Sequence, residues 1–244
     1  MSYYGKLCTM IYDLDKPFAV KDEIELYTNS IDSKQARILE PMCGSGRFYI
    51  PLLKEGYNIT GFDLSQEMLN ACIKKCSKLE IEPKVFKADI VKYKSKEKYD
   101  YVFIPIGSIS LIIDESDLLQ SFINIFECLE KKGIFIFSFL NFNSKAENIP
   151  DWKEIMHYPI NGKKIVCKQK LNYIEDSKLL DIKLLYELIQ NDTVIEKEKQ
   201  DFPIKLYDEK YLQKKLFQMG FNHVEEIKSS ESNEKFTIFK CIKG

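Results

Sequence analysis

Residues 37–46 read Arg-Ile-Leu-Glu-Pro-Met-Cys-Gly-Ser-Gly, a short apolar run that leads into two glycines separated by one residue. A second apolar run, residues 59–63, reads Ile-Thr-Gly-Phe-Asp and ends in an acid. Strand, glycine turn, helix, strand and acid in this order are typical of a site for a nucleoside-bearing cofactor. Gly44 and Gly46 let the backbone approach a ligand at angles that other residues avoid. The next helix points free N–H groups at the ligand, and Asp63 is suited to accept hydrogen bonds from ribose hydroxyls.

Apolar periodicity predicts that strands and helices alternate from residue 37 to residue 140. Strands are predicted at 38–39, 58–62, 84–87, 99–106 and 133–140, and helices at 47–55, 65–79 and 117–130. A final helix from residue 208 to residue 220 precedes two strands, 221–227 and 235–242, on either side of the polar stretch 229–234. The pattern predicts a Rossmann-like, doubly wound α/β fold, with a mostly parallel seven-stranded sheet and an antiparallel C-terminal hairpin.

Two segments lie outside this alternating core. Residues 1–36 contain apolar and aromatic positions divided by Pro17, and they predict a cap of two helical segments. Residues 141–207 predict an inserted antiparallel β flap, with strands at 163–174, 179–189 and 194–206 joined by tight turns. We therefore expect one domain, residues 1–244, in which the flap covers the site of the molecule that reacts with the cofactor, the acceptor.

Composition narrows the function classes. The chain has 244 residues, 36 basic and 37 acidic side chains and a formal net charge of −1, so it lacks the basic excess of many nucleic-acid-binding proteins. The alternating lysines Lys92, Lys94, Lys96 and Lys98 are interpreted as a solvated loop. A nucleic-acid partner is therefore not favoured, and nothing in the sequence indicates an oligomeric state.

Neither a membrane span nor an export signal is predicted. No apolar stretch approaches the roughly 20 residues that a bilayer requires, and residues 1–6 lack a basic region followed by an apolar one. The seven scattered cysteines then indicate reduced thiols and a cytoplasmic location. Cys72 and Cys76 are four residues apart, but no second Cys or His pair accompanies them, so we expect buried thiols and no metal site.

Two details of the glycine turn disfavour a nicotinamide cofactor. The third small residue of a dinucleotide-binding motif would fall at Tyr49, where close packing of helix on strand requires a small side chain. Glu40 lies directly before the turn, where it would repel a pyrophosphate and favour a ligand with an amino group.

Four motifs in order resemble those of class I S-adenosylmethionine-dependent methyltransferases. Residues 38–47 resemble the first motif, 61–69 the second, 87–90 the third and 99–104 the fourth strand, while residues 208–242 fit the terminal helix and hairpin. The first motif of the family is usually acid-x-Gly-x-Gly-x-Gly, and this chain has Met42 in place of the first glycine. In the branch of the family that acts on small molecules, segments at the positions of 1–36 and 141–207 cover the acceptor, and the resemblance implies the same role here.

The resemblance implies S-adenosyl-L-methionine as the cofactor. The glycine turn would hold its methionine part, Asp63 its ribose and Leu64 its adenine. Asp89 would face the adenine amino group, with Ile90 against the ring, and residues 104–107 would lie beside the sulfonium. The implied cofactor-binding residues are Glu40, Met42, Cys43, Gly44, Gly46, Arg47, Asp63, Leu64, Ala88, Asp89, Ile90 and Ile104.

The sequence says less about the methyl acceptor. Residues 104–108 read Ile-Pro-Ile-Gly-Ser and lack the Asp/Asn-Pro-Pro-aromatic motif of enzymes that methylate amino groups of nucleic acids. Aromatic side chains in the two outer segments suit a small, partly apolar acceptor. These are Tyr3, Tyr4, Tyr12, Trp152, His157, Tyr158, Phe202 and Tyr207. The candidates for a catalytic base are His157, Tyr12 and Tyr207.

Three functions stay open at this point. The first is methyl transfer to N or O of a small molecule, the second is an RNA or protein methyltransferase, and the third is a module that binds the cofactor without catalysis. We also expect replacement of Asp63 to leave folding almost unchanged, because the end of a strand near solvent supports little packing.

Overall fold

The computed structural model describes residues 4–228 and 235–244. Tyr3 and the polar stretch 229–234 lie outside the described residues. The helices are α1 (Lys6–Asp15), α2 (Lys21–Thr28), α3 (Tyr49–Lys54), α4 (Gln66–Lys78), α5 (Glu115–Cys128) and α6 (Glu209–Gln218). The strands are β1 (Ile38–Pro41), β2 (Ile59–Asp63), β3 (Val85–Lys87), β4 (Tyr99–Ile104), β5 (Leu129–Leu140), β6 (Ile149–Ile160), β7 (Lys163–Ile174), β8 (Leu179–Gln190), β9 (Thr193–Asp201), β10 (Ile204–Lys205), β11 (Phe221–Glu226) and β12 (Phe236–Lys243).

Seven strands form the main sheet in the order β11-β12-β5-β4-β1-β2-β3. The pairs β5–β4, β4–β1, β1–β2 and β2–β3 are parallel, whereas β12 pairs antiparallel with both β5 and β11. The predicted α/β fold class is therefore confirmed. The chain winds outward from β1 to β3 and then crosses back to β4, which creates a crevice at the carboxyl ends of β1 and β4.

Each face of this sheet carries its own apolar core. On one face α5 and α6 pack over the sheet through residues such as Phe122, Phe137 and Leu212, all fully buried. On the other face α2, α3 and α4 bury residues such as Tyr27, Tyr49 and Leu69. Burial on both faces explains the nearly continuous apolar sequence of β4.

The flap forms a second, antiparallel sheet that differs from the prediction. Strand β6 was not predicted, and the third predicted strand is divided into β9 and β10 by Phe202-Pro203. Strand β6 is an edge strand with few buried residues and with Pro150 and Pro159 near its ends, so it lacks the alternation of buried and exposed side chains that identifies a strand in sequence. Proline at residue 203 removes the N–H that a continuous ladder would need.

Both predicted helical segments of residues 1–36 are present, and α1 lies between the two sheets. Its Leu7, Cys8 and Ile11 pack on Ile165 and Cys167 of β7 and on neighbouring side chains of β8. All seven cysteines are buried free thiols. The described residues contain no cluster of His, Cys, Asp and Glu suited to hold a metal ion, and none of their helices is both long and apolar enough to span a bilayer.

The two glycines of the turn after β1 have different surroundings. Gly46 has a φ of +86°, and a Cβ there would lie 2.7 Å from Sγ of Cys72 and 2.8 Å from Cγ1 of Ile50. Gly44 has a φ of +54°, and a Cβ there would meet only the Met68 sulfur, at 4.0 Å. Gly46 therefore lets α4 pack against the turn, whereas Gly44 faces open space.

Replacement of Gly46 by alanine tests this packing. Gly56 is a matched control because its φ is also +86° but nothing lies within 4 Å of a Cβ there. We expect Gly56→Ala to lower the free energy of unfolding by about 1–2 kcal/mol through backbone strain alone. Gly46→Ala should lower it by a further ~1–3 kcal/mol, because α4 must shift. Equal losses for the two variants in urea denaturation would contradict the packing role.

Candidate functional site

A cavity of about 280 Å³ opens at the carboxyl ends of β1 to β4. Ten predicted cofactor residues line it: Glu40, Met42, Cys43, Gly44, Arg47, Asp63, Leu64, Ala88, Asp89 and Ile90. Gly46 and Ile104 do not: Gly46 packs against α4, and Ile104 is fully buried in the core within β4. The next two residues, Pro105 and Ile106, line the cavity in place of Ile104.

Glu40 is the most unusual group in the cavity wall. Its side chain lies at the end of β1 and is 1% exposed, yet its Oε2 atom has no hydrogen-bond partner. Burial, with the nearby Asp63 carboxyl as a second cause, raises the pKa of Glu40 well above its usual value. A buried acceptor without a partner costs free energy, so this oxygen is suited to receive a donor from a ligand, above all a cationic one.

Arg47 supplies a buried donor to the same cavity. Its Nη2 donates to both carboxylate oxygens of Glu23 at 2.6 and 2.7 Å, while its Nε has no partner. The Arg47 side chain is only 12% exposed. The free Nε–H group is therefore available to an acceptor on a ligand, and Glu23 of α2 holds the guanidinium in place.

Asp63 binds two backbone amides across the glycine turn. Its Oδ2 accepts from the Gly44 N–H and its Oδ1 from the Ser65 N–H, each at 2.8 Å. Burial raises the pKa of Asp63, and these backbone hydrogen bonds partly offset that rise. The expectation that this residue matters little for folding is therefore corrected. The carboxylate connects the turn after β1 to the start of α4, a contact that its place at a strand end does not reveal.

Three residues other than glycine have left-handed backbone angles at the cavity: Tyr4, Met42 and Ile106. Met42 has a φ of +59° at the position where the family usually has glycine, so the chain keeps a turn that glycine would adopt more easily. Ile106 has a φ of +54° and is followed by Gly107 at +67°. Left-handed angles are costly for a β-branched residue, and such strain is often found at functional sites. The Ser138 hydroxyl supports this bend by accepting from the Gly107 N–H at 2.7 Å.

The structure separates the three candidate bases. Tyr12 lines the cavity, and burial raises its pKa, with Arg47 acting in the opposite direction. Tyr207 is buried next to the cavity and donates its hydroxyl to the Ile112 carbonyl. His157 does not line the cavity: it lies exposed on β6, with its Nδ1 2.7 Å from Glu154 Oε1. Of the three, only Tyr12 is brought to the cofactor residues.

Most of the predicted aromatic residues lie away from the cavity. Tyr4 lines it and packs edge to face against Phe202, at 5.4 Å between ring centroids. Trp152 is partly exposed, and Tyr158 donates to Asp15 of α1 at 2.5 Å. None of the described lining residues comes from 141–207, so the second sheet contacts the cavity wall indirectly, through α1 and through the turn at Ser108–Leu111.

Several lining residues were not singled out in the sequence. The loop after β4 and the start of α5 contribute Ser108, Leu111, Ile112, Ile113, Asp114 and Asp117. A Pro-Ile-Gly-Ser sequence followed by an Asp helix cap signals a turn and a helix start, but it does not indicate which way the side chains point. Hydrogen bonds to Ser116 and to the Asp117 amide lower the pKa of Asp114.

The ionisable groups in the lining are predominantly acidic. They are the carboxyls of Glu40, Asp63, Asp89, Asp114 and Asp117, two tyrosines, one buried cysteine and one cation, Arg47, which is paired with Glu23. Neither lysine nor histidine is among the described lining residues. The cavity therefore favours ligands that bring positive charge.

The alternating lysines do not extend this site. Lys94 pairs with Glu127 of α5 at 2.8 Å, and Lys98 donates to the carbonyl of the same residue. Lys96 lines a separate surface groove at the amino ends of the strands, and only Lys92, whose Nζ is 3.9 Å from Asp89 Oδ2, lies near the cavity.

Comparisons with known proteins agree with this architecture. A family model described as a methyltransferase domain matches residues 38–133. A putative methyltransferase of Geobacillus sp. strain WCH70 is 32% identical over 101 residues, which cover 41% of each chain, so the aligned stretch spans less than half of that relative. A ubiquinone biosynthesis O-methyltransferase of Rickettsia bellii is 23% identical over 200 residues, 78% of this chain and 74% of the relative.

A solved structure extends the similarity of fold to the whole chain. The sugar N-methyltransferase KedS8 from Streptoalloteichus aligns with a TM-score of 0.79 and 17% identity, covering 100% of this chain and 96% of that one. The strand order, the glycine turn and these matches agree with one another. Residues 38–133 match the methyltransferase-domain model, and the whole chain shares its fold with a solved methyltransferase.

Proposed function

We propose that this protein transfers the methyl group of S-adenosyl-L-methionine to a small-molecule acceptor. One observation carries the proposal: the cavity is lined by a buried acceptor without a partner, Glu40 Oε2, and by a buried donor without a partner, Arg47 Nε. An amino acid has both complementary groups, an ammonium and a carboxylate. The methionine end of the cofactor would satisfy the two atoms together.

The remaining lining suits the nucleoside end. Asp63 keeps acceptor capacity on its carboxylate oxygens beyond the two backbone N–H groups and would bind the ribose hydroxyls. Leu64 is 42% exposed within the cavity wall and offers an apolar surface to the adenine. Asp89 and Ile90 would contact the adenine edge and ring, respectively. Gly44 has no side chain, so the protein backbone leaves space there for the methionine part of the cofactor.

The bound cofactor supplies an electrophilic methyl group on a sulfonium. The protein then has to fix the two reactants in line and exclude water. Glu40, Arg47 and Asp63 would fix the cofactor, and the bend at Ile106 with the Tyr12 ring would close the cavity on its acceptor side. Negative charge in the lining also complements the sulfonium.

The lining favours an amine acceptor over a hydroxyl. Both histidines of the chain lie outside the cavity, and burial raises the pKa of Tyr4 and of Tyr12, so neither tyrosine is a base at neutral pH. An alcohol needs a strong base, whereas an amine needs only to lose a proton to water or to a carboxylate. Asp114 and Asp117 would attract such a cation to the mouth. The sugar N-methyltransferase fold of KedS8 supports this choice, and the Rickettsia relative makes O-methylation the second candidate.

A nucleic-acid acceptor has little support, because Lys94 and Lys98 are bound to α5 instead of bordering the cavity.

A purely cofactor-binding role was suggested by Met42, but this residue keeps the left-handed turn that glycine would provide. Turnover of small amines with labelled cofactor tests catalysis directly. Tight binding of S-adenosylhomocysteine without turnover of any amine or hydroxyl acceptor would favour the non-catalytic alternative.

Glu40→Gln tests the methionine subsite. The change keeps the size of the side chain but removes the charge that would hold the ligand ammonium. We expect affinity for S-adenosylhomocysteine to fall about 10- to 100-fold, because hydrogen bonds to charged groups contribute ~1.5–3 kcal/mol. Affinity for 5′-methylthioadenosine, which lacks the amino-acid end, should not change, as calorimetry can measure. Equal losses for both ligands would mean that Glu40 acts on cavity shape alone.

Asp63→Asn tests the ribose subsite. Two ligands are compared on each protein, so that any loss of stability affects both affinities equally. Wild-type protein should bind S-adenosylhomocysteine about 10- to 100-fold more tightly than its 2′,3′-dideoxyribose analogue, whereas Asp63→Asn should bind the two with similar affinity. The free energy of unfolding should also fall by ~1–3 kcal/mol, because one of the two backbone N–H groups loses its acceptor. If the variant discriminates between the ligands as strongly as wild type does, Asp63 does not bind the diol.

A further inference from the structure

Helix α1 receives its N-terminal cap from the second sheet. Glu198 of β9 accepts the Leu7 N–H through Oε2 at 2.9 Å and the Cys8 N–H through Oε1 at 3.2 Å. The first turn of a helix leaves N–H groups unpaired, and a carboxylate there also interacts favourably with the helix dipole. A side chain 190 residues away in sequence thus does what a local capping residue usually does.

The helix has no cap of its own. Its N-cap residue is Gly5, which makes no side-chain hydrogen bond, and its first turn contains no acidic residue. A Cβ on Gly5 would lie 2.5 Å from the carboxyl carbon of Glu198, so any larger residue would displace that carboxylate. The Glu198 carboxylate can therefore cap α1 only because residue 5 is a glycine.

The same short helix connects this contact to the cofactor cavity. Tyr12 is on α1 and Tyr4 directly precedes it, and both line the cavity. At the other end of α1, Asp13 accepts from the Ser45 hydroxyl at 2.5 Å and pairs with Lys75 at 2.7 Å. The helix is thus held by Glu198 on one side and by the glycine turn on the other.

We propose that Glu198 is a positioning residue for the cofactor cavity: by capping α1 from the second sheet it holds Tyr12 and Tyr4 in the cavity wall. The proposal rests on the proposed function, because it takes the cavity as the cofactor site. It also gives the inserted sheet a role, since that sheet contributes no residue to the described lining. Without the cap, α1 would hold Tyr12 and Tyr4 in the cavity wall for a smaller fraction of the time, and apparent ligand affinity would fall in proportion.

Glu198→Ala provides the test, and Glu196→Ala is the matched control. Glu196 is two residues away on the same strand and also contacts α1, through Lys6, but this pair is exposed, with side chains 62% and 39% accessible. We expect Glu198→Ala to raise the dissociation rate of S-adenosylhomocysteine roughly 10-fold, with faster exchange of the Leu7 and Cys8 amides. Glu198→Gln keeps one acceptor oxygen and should fall between wild type and Glu198→Ala. Glu196→Ala should change neither quantity.

A double variant separates positioning from general loss of stability. Gly5→Ala should raise the dissociation rate by displacing the Glu198 carboxylate, and Gly5→Ala combined with Glu198→Ala should be no worse than Glu198→Ala alone. Additive effects would overturn the proposal, and so would a Glu198→Ala variant that is less stable but releases the ligand at the wild-type rate. Failure of the wild-type protein to bind S-adenosylhomocysteine would overturn the proposed function and this inference together. Failure of the Glu198 comparison alone would leave the proposed function intact.

Discussion

The buried carboxyl of Glu40 is the constraint on which the rest of the site depends. It lies at the end of β1, where the strand order of the sheet reverses, and one of its oxygens has no partner. Burial without full pairing is unfavourable for folding, and it raises the pKa of this side chain. Under the proposed function a ligand ammonium satisfies this oxygen, and a ligand carboxylate satisfies the other buried group without a partner in the cavity wall, Arg47 Nε.

Helices α1 and α4 and the end of β2 hold the glycine turn that follows this carboxyl after β1. Gly46 lets α4 pack beside the turn after β1, Asp63 connects the Gly44 amide of the turn to the start of α4, and Asp13 of α1 accepts from the Ser45 hydroxyl of the turn. Helix α1 carries Tyr12 to the cavity while its own N-terminus is capped by Glu198 of the second sheet. Helix α1 therefore connects the cavity wall to the inserted sheet, with contacts on both sides.

The sequence predicted the parallel sheet well because glycine turns, strand-end acids and apolar periodicity are local signals. Ten of the residues predicted to bind the cofactor line the cavity, because their motifs lie at the carboxyl ends of strands. Strand β6 was missed because an edge strand with few buried residues has no alternating pattern. The predicted contribution of His157 failed because distance along the chain does not show that β6 lies behind α1. The Glu198 cap depends on a contact across 190 residues, for which no local pattern exists.

A crystal structure of the protein with S-adenosylhomocysteine would show which ligand groups reach Glu40 and Arg47. We expect the ligand ammonium at ~3 Å from Glu40 Oε2 and the ligand carboxylate at a similar distance from Arg47 Nε. The ribose hydroxyls should lie on the carboxylate of Asp63, with the Gly44 and Ser65 amides still bound to it. A homocysteine end that points to solvent, with Glu40 Oε2 and Arg47 Nε still without partners, would rule out the proposed methionine subsite.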